Sequence, residues 1–260
     1  MSALRPAQGA GGGPRAGAGS GAGSGAGAKA GSGAGSGAGS GAGAGAGAKA
    51  KAAVQCIETD AALAEGVAWL CRRDPRLARA HALAGMPPLR RRPDGFVALL
   101  DAIVSQQISV AAAGSIWARL RAAGLTRADA VRRASDEDLR ACGLSRPKAR
   151  YARALAAAPI DYRRLRAAPD DEVIATLTQV TGIGPWTAQI YAMFSLGRAD
   201  VFAPADLALQ EAARLLLDLP ARPRPARLEA LARSWSPWRA VAARMLWAYY
   251  RAARNREGIR

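Results

Sequence analysis

Two glycines and a proline mark the segment of this chain whose spacing best fits a chemical role. They stand in Val180-Thr181-Gly182-Ile183-Gly184-Pro185-Trp186-Thr187-Ala188, where one predicted helix ends and the next begins with proline at its first position. Glycine permits positive φ and leaves the backbone open to a ligand, while Ile183 can fill the space between the helices. The free amides of Gly182, Gly184 and the following first turn, with Thr187, would bind an anion such as a DNA phosphate. The same pattern also fits an ordinary tight turn between two helices.

The elements that must position this turn are almost all helices. Capping side chains, prolines and glycines divide the chain into helical segments, and the alternation typical of strands is nearly absent. The predicted segments are 60–73, the stretch from Pro75, 95–104 with Asp94 as cap, 110–123, 136–142, 145–158, 171–179, 185–196, 204–217 and 237–254. We therefore expect an all-α fold, a two-lobed bundle of about ten helices, over residues 54–260.

Composition limits the classes of protein to consider. The 260 residues contain 37 Lys+Arg and 20 Asp+Glu, a net charge of +17, which points to a polyanionic partner, most simply nucleic acid, or else reflects a compositional bias. Residues 1–53 are rich in Gly, Ala and Ser with a few basic residues, which predicts a disordered basic tail. Three scattered cysteines and one histidine do not supply the ligands of a zinc or iron–sulfur site. The sequence has neither a long apolar run nor a signal-peptide pattern, so we expect a cytoplasmic protein that does not contact membranes.

Several motifs together resemble one family. They are Gly182-Ile183-Gly184-x-Trp186-Thr187-Ala188, Asp200-Val201-Phe202-x-Pro204-x-Asp206, Ala102-Ile103-Val104-Ser105-Gln106-Gln107-Ile108-Ser109, Trp235-x-Pro237-Trp238-Arg239 and Trp247-x-x-Tyr250. In this combination the sequence is similar to the helix–hairpin–helix DNA glycosylases, and most of all to the 3-methyladenine DNA glycosylase II type, which removes alkylated bases. The resemblance covers nearly all of the folded part.

The resemblance implies that Asp206 is the catalytic residue. A carboxylate facing an extruded nucleotide can stabilise the positive charge that develops on the sugar and can orient the attacking water. Judged by its local sequence alone, Asp206 fits the N-cap of the helix that follows better than a catalytic role, and the resemblance reverses that order. Asp200, which belongs to the same motif, is expected to be a structural capping carboxylate. Bifunctional relatives carry a lysine where this chain has Trp186, so the resemblance implies base removal without strand cleavage. Lys148, the one lysine after residue 53, is expected to cap or pack a helix, or to contact a phosphate.

The resemblance also implies the surroundings of the extruded base. Trp247, Trp186 and Tyr191 are the expected base pocket, since aromatic faces stack on extruded bases and attract cationic ones. Their alternative role is packing in the core. Gln107 or Ile108 is the expected wedge that enters the duplex, Gln107 being favoured, unless the two glutamines are buried between helices.

A structural Na⁺ or K⁺ at the hairpin is implied by the resemblance alone. Its ligands would be the main-chain carbonyls of Thr178, Val180 and Ile183, and no other cofactor is expected.

The favoured hypothesis is a monofunctional DNA glycosylase that excises alkylated purines such as 3-methyladenine from duplex DNA. Two alternatives stay open: a glycosylase for another damaged or mismatched base, and a noncatalytic helix–hairpin–helix DNA-binding protein. The expected partner is double-stranded DNA with damaged bases, bound by a monomer associated with the nucleoid.

Overall fold

The computed structural model describes residues 55–256, and the predicted tail at 1–53 lies outside the described residues. Within 55–256 the chain forms thirteen α-helices and one 3-10 turn, and its only β pairing is an isolated bridge between Cys56 and Arg198. The all-α prediction is therefore confirmed. The helices are α1 Asp60–Arg73, α2 Pro75–Ala84, α3 Phe96–Ser105, α4 Val110–Ala122, α5 Ala128–Arg133, α6 Asp136–Ala141, α7 Arg146–Ala157, α8 Tyr162–Ala167, α9 Asp170–Thr178, α10 Pro185–Phe194, α11 Leu207–Leu216, α12 Pro225–Ala232 and α13 Arg239–Arg256, with the 3-10 turn Arg233–Trp235 before α13. None of these helices combines the length and the apolarity needed to cross a lipid bilayer.

Side-chain capping fixes the starts of six of the described helices, α1, α2, α4, α6, α8 and α11. The Thr59 side chain accepts a hydrogen bond from the Ala62 amide at the start of α1, and Asp74 caps α2 immediately before Pro75. Ser135 and Asp138 form a reciprocal capping box at α6. These contacts satisfy amides that have no partner within their own helix, so the sequence alone is enough to place these ends.

The expectation of about ten helices was too low. Three short helices, α5, α8 and α12, were not predicted, because six to eight residues give too little periodicity to read from sequence and none of them has the capping box that marks the equally short α6. The prediction that Asp94 caps α3 was wrong. The Asp94 carboxylate accepts two hydrogen bonds from Arg166, at 2.6 and 3.0 Å. Such a charged, two-point pair is stronger than a cap. The helix begins after Gly95 instead, and the Gly95 amide donates to the Tyr191 hydroxyl at 2.9 Å.

The helices pack as two sets, as the two-lobed prediction requires. One set consists of α3 to α7 with α9 and α10, and the other of α1, α2 and α11 to α13. In the second set α1 and α13 approach closely at Gly66, where an added Cβ would lie 2.7 Å from the Trp238 ring. The glycine thus allows the long last helix to lie against the first. This arrangement brings α10 of one set close to the start of α11 and the middle of α13 of the other.

Candidate active site and nucleic-acid interface

Asp206 lies where the two helix sets meet. Its Oδ1 accepts hydrogen bonds from the Leu209 amide at 2.9 Å and from Trp247 Nε1 at 3.1 Å. Its Oδ2 accepts one from Trp186 Nε1 at 3.0 Å. The three donors come from α11, α13 and α10. They fix the orientation of the carboxylate without supplying a formal positive charge, so its negative charge stays available to a cation.

The two roles considered for Asp206 coexist in the structure. The residue is the N-cap of α11, with extended backbone and a side chain bonded to the third amide of the helix. It is also only partly buried, next to the exposed Trp186 and to Leu207, whose side chain is 62% exposed. The cap therefore holds a partly exposed carboxylate between the indoles of Trp186 and Trp247.

Two of the three predicted pocket aromatics touch this carboxylate. Trp186 is 43% exposed, and Trp247 is half-buried, with its ring 5.7 Å from the Phe194 ring. Tyr191 is placed differently, because its ring is buried and its hydroxyl receives the Gly95 amide at the start of α3. Burial raises the pKa of Tyr191 to about 12. The structure thus brings Trp186 and Trp247 to Asp206, and gives Tyr191 a contact with α3.

An arginine that the sequence reasoning missed supports the aromatic pair. Arg244 of α13 is buried, donates to the Met193 carbonyl at 2.9 Å, and lies 4.5 Å from the centroid of the Phe194 ring. Burial, with a smaller effect from Arg91, lowers the pKa of Arg244 to about 10. Arg244 stands three residues before Trp247, on the same face of the helix, and that spacing was the available signal. Its guanidinium therefore anchors the Phe194 ring against which Trp247 packs.

The turn between α9 and α10 has the geometry that its glycines predict. Gly182 has φ +96°, and a Cβ there would lie 2.3 Å from Tyr151 Cγ, while Ile183 is buried between the helices. At Gly184 an added Cβ would meet nothing within 4 Å, so this side of the turn is open. Among residues 55–256 the amides of Gly182 and Gly184 donate to no carbonyl. The first-turn amides of α10, including that of Thr187, have no intrahelical acceptor either, while Thr187 itself is buried. The turn can therefore present several free amides to one anion.

The break between α3 and α4 separates the two glutamines. Gln106 Nε2 donates to the Gly182 carbonyl at 3.1 Å and ties the break to the turn. Gln107 is exposed with φ +57°, and Ile108 is 38% exposed. Neither glutamine is buried: Gln106 is half-buried and satisfies a backbone carbonyl, a contact that sequence reasoning did not locate, while Gln107 is exposed. Val110, at the first position of α4, is 91% exposed beside them. The break therefore presents Gln107 and two apolar side chains to the outside.

Two hollows that share part of their lining lie between α3, α4 and α10, and Trp186 lines the larger of them. The main hollow has a volume of about 780 Å³ and runs along the Gln106–Val110 break. The side hollow, of about 480 Å³, extends toward Tyr191 and Val97. The wall common to both is formed by six residues: Arg92, Asp101, Ala102, Trp117, Thr187 and Ile190. Of these only Thr187 was singled out from the sequence. A third hollow, which lies between α6 and α7, contains none of the predicted site residues.

The remaining predicted residues have clear structural partners. Lys148 Nζ donates to the Val104 carbonyl at 2.7 Å, so it caps the end of α3 as expected, and burial lowers its pKa. Asp200 receives Nε and Nη2 of Arg239 at 2.9 and 3.0 Å, and the Ser236 hydroxyl at 2.8 Å. This is the structural role expected for Asp200. Residues 55–256 contain no cluster of His, Cys, Asp or Glu that could hold a metal ion.

Of the carbonyls predicted to bind a monovalent cation, those of Thr178 and Val180 lie at the end of α9, and that of Ile183 lies in the turn before α10. Thr178 is the last residue of this helix, so its carbonyl has no partner within the helix. The Val180 carbonyl accepts the Ile183 amide at 3.0 Å and keeps a second lone pair. These oxygens, at the negative end of a helix dipole, are of the kind that Na⁺ or K⁺ prefers.

Fold and site together define an all-α helix–hairpin–helix protein whose cleft carries an acidic group between two tryptophans. Residues 100–237 match the model of the HhH-GPD superfamily of base excision DNA repair proteins. The chain belongs to this superfamily.

Individual relatives agree with this assignment. The chain is similar to DNA-3-methyladenine glycosylase 1 of Schizosaccharomyces pombe, at 30% identity over 165 residues, covering 60% of this chain and 72% of the relative. Among solved structures it is similar to a DNA-3-methyladenine glycosidase from Bacillus halodurans, with 32% identity and a TM-score of 0.65, covering 75% of this chain and 92% of that one. It is also similar to a Schizosaccharomyces pombe 3-methyladenine DNA glycosylase in complex with abasic DNA, with 29% identity and a TM-score of 0.63, covering 70% of this chain and 95% of that one. Other curated relatives are matched over a smaller part, down to 37% of their own length.

Proposed function

We propose that this chain is a monofunctional DNA glycosylase that extrudes alkylated purines, such as 3-methyladenine, from duplex DNA and hydrolyses their N-glycosidic bond. The observation that carries the proposal is the Asp206 carboxylate, held at the cleft by the Leu209 amide and by the indoles of Trp186 and Trp247. The names of the relatives support the same class of substrate.

The chemistry assigned to Asp206 is electrostatic. Breaking the N-glycosidic bond leaves positive charge on the sugar, and a preorganised carboxylate stabilises that charge in the transition state. An N-alkylated purine is itself cationic and leaves readily, so it needs little help from a general acid. The same carboxylate can orient the water that attacks C1′ through Oδ2, which accepts one hydrogen bond in the structure and keeps a second lone pair, whereas Oδ1 already accepts two.

The surroundings of Asp206 suit a flat, cationic base. Trp186 both donates to Asp206 and lines the main hollow, so one side chain links the carboxylate to a space large enough for a base. A cationic base over an aromatic face gains about 0.5–2 kcal/mol. The proposed base pocket therefore includes Trp247 and Trp186, with Tyr191 on the side hollow.

The proposed contacts with DNA surround this cleft. The free amides of Gly182 and Gly184 and the first turn of α10 would bind a backbone phosphate. Gln107, with Ile108 beside it, would fill the gap left by the extruded nucleotide. A net charge of +17 favours association with DNA in a salt-dependent manner. We propose that the protein acts as a monomer on DNA in the cytoplasm, and that a monovalent cation at the carbonyls of Thr178, Val180 and Ile183 would hold the turn.

Absence of strand cleavage is part of the proposal. Cleavage by a Schiff base requires a free lysine amine at the sugar. Lys148, the one lysine within residues 55–256, donates to the Val104 carbonyl, and Trp186 occupies the position from which bifunctional relatives use their lysine. No amine of the described chain is therefore placed beside Asp206.

The test is incubation with methylated duplex DNA and identification of the released bases by mass. We expect alkylated purines in the supernatant and abasic sites that break only after hot alkali. Asp206→Asn should abolish release while DNA binding persists, and the exposed Asp218→Asn should behave as the unaltered protein. Release by Asp206→Asn at the original rate would contradict the proposed role of Asp206. Borohydride trapping of a protein–DNA adduct would contradict the monofunctional assignment.

A further inference from the structure

The wall shared by the two hollows carries a carboxylate without a partner. Asp101 of α3 lines both the main and the side hollow. Within residues 55–256 its oxygens accept no hydrogen bond and form no ion pair. Many carboxylates of this arginine-rich chain pair with arginines, among them Asp74, Asp94, Asp129, Asp136 and Asp200. Other described carboxylates without an ion pair, such as Asp60 and Asp218, are exposed and line neither hollow. Asp101 is therefore left available to a ligand in the hollows.

The two arginines that line the hollows lie over aromatic rings. The Arg92 guanidinium lies 5.9 Å from the centroid of the Phe194 ring. The Arg121 guanidinium lies 5.8 Å from the Trp117 ring. Neither forms an ion pair with Asp101, although Arg92 lines both hollows and Arg121 lines one. Within the part of the chain that it describes, the structure therefore leaves the negative charge of Asp101 without an arginine partner.

The rest of the shared wall is suited to a flat aromatic ligand. Trp117 and Ile190 face the same space, and Trp186 links it to Asp206. A volume of about 780 Å³ is typical of sites for small ligands. An unpaired carboxylate close to bound DNA weakens the binding of DNA by charge repulsion, unless the carboxylate accepts a hydrogen bond or lies beside a positive charge. A ligand that satisfies Asp101 must therefore carry an N–H donor, a positive charge or both.

We propose that Asp101 determines lesion specificity, by accepting a hydrogen bond from the exocyclic amino group of a cationic alkylated purine and by opposing neutral bases that present a carbonyl oxygen. The proposal rests on the function proposed above. An ionised carboxylate only accepts hydrogen bonds. The amino group of 3-methyladenine can donate a hydrogen bond to this carboxylate. Hypoxanthine, a base of similar size, has a carbonyl oxygen at the same position, and two acceptors that face each other repel. A polar mismatch in a built site discriminates more strongly than a difference of one methyl group.

The experiment compares excision of 3-methyladenine from methylated DNA with excision of hypoxanthine from a matched duplex. For Asp101→Asn we expect the ratio of the two kcat/KM values to fall at least tenfold, because the amide can donate to the hypoxanthine oxygen. Asp101→Glu keeps the charge and should keep most of the preference. Asp218→Asn makes the same chemical change away from the hollows and should leave the ratio unchanged.

Each outcome has a definite meaning. An unchanged ratio in Asp101→Asn, with wild-type activity on 3-methyladenine, overturns the role of Asp101 and leaves the proposed function standing. Failure of the wild-type protein to release any alkylated base overturns the proposed function, and the Asp101 proposal with it. Equal loss on both bases in Asp101→Asn, with the same loss in Asp101→Glu, indicates a structural role and also overturns the proposal.

Discussion

The Trp247 indole of α13 donates at 3.1 Å to the Asp206 carboxylate that caps α11. The same ring lies 5.7 Å from Phe194 of α10. One side chain therefore joins the carboxylate to both helix sets. Trp247 thus contributes both an N–H donor and an aromatic ring. The variants Trp247→Phe and Trp247→Ala separate these two contributions.

Trp247→Phe keeps the ring and removes the donor. We expect about tenfold slower excision, because a hydrogen bond to a charged group contributes about 1.5–3 kcal/mol when buried and less at a half-exposed site. Trp247→Ala removes the ring as well and should be slower again. The measurement is the single-turnover release of 3-methyladenine, with Trp69→Phe on α1 as the control. If Trp247→Phe matched the wild-type rate, the orientation of Asp206 would not depend on this bond.

The two glycines of the turn give a matched pair of variants. Gly182→Ala forces a methyl group into the Tyr151 ring at a φ of +96°. We expect a loss of about 2–4 kcal/mol in the free energy of unfolding. Gly184→Ala meets nothing within 4 Å and has a φ of −86°, so we expect at most about 1 kcal/mol. Urea denaturation measures both.

Gly184→Ala, the variant with the smaller expected effect on stability, should affect the binding of DNA. The Gly184→Ala methyl group would stand on the open side of the turn, where a phosphate would approach the amides. We expect about tenfold weaker binding to undamaged duplex DNA, by fluorescence anisotropy at fixed salt, in a protein of nearly normal stability. Unchanged affinity in Gly184→Ala would show that the phosphate does not approach from this side.

Local chemistry explains how much of this site the sequence could predict. The turn at Gly182 and the cap at Asp206 depend on residues within a few positions of each other, so spacing was enough to find them. The Asp94 cap was predicted wrongly because its competitor, Arg166, lies 72 positions away in sequence. Asp101 and Arg92 were not found, because their wall exists only where α3, α4 and α10 meet. A hollow formed by helices that are far apart in sequence produces no repeating pattern in any one segment, so it cannot be predicted from local sequence.

Asp74 should make stability depend on pH in the acidic range. Burial alone would raise the pKa of Asp74, but hydrogen bonds from the Arg76 side chain, Trp235 and the Arg76 amide together hold it below the usual value. Since the folded state binds the proton less tightly, the stabilisation is complete above the unfolded pKa of about 3.9 and is lost as pH falls through the folded value. Asp74→Asn should cost about 2 kcal/mol at pH near 7.

The difference between Asp74→Asn and wild type should then shrink as the pH falls below about 4. Urea denaturation at several pH values measures it, and Asp60→Asn, at an exposed first-turn position, serves as the control. A difference that stayed constant down to the acid limit would mean that Asp74 stabilises the fold by shape and not by charge.

Gln107 allows the wedge to be tested without damage to the fold. Its φ of +57° is unfavourable for residues other than glycine, by roughly 1–2 kcal/mol, and its side chain is exposed. Gln107→Gly should therefore leave the free energy of unfolding equal or higher, while it removes the group that would replace the extruded nucleotide.

For Gln107→Gly we expect at least tenfold slower excision from duplex DNA and little change on single-stranded DNA, where no gap needs filling. Gln107→Asn, which tolerates the same φ and keeps a shorter polar group, should fall between the two. Ile108→Ala serves as the companion variant: if it loses duplex activity and Gln107→Gly does not, the wedge is Ile108. If both variants lost excision activity equally on duplex and single-stranded DNA, the break between α3 and α4 would act in the chemistry or in base binding, and not as a wedge in the duplex.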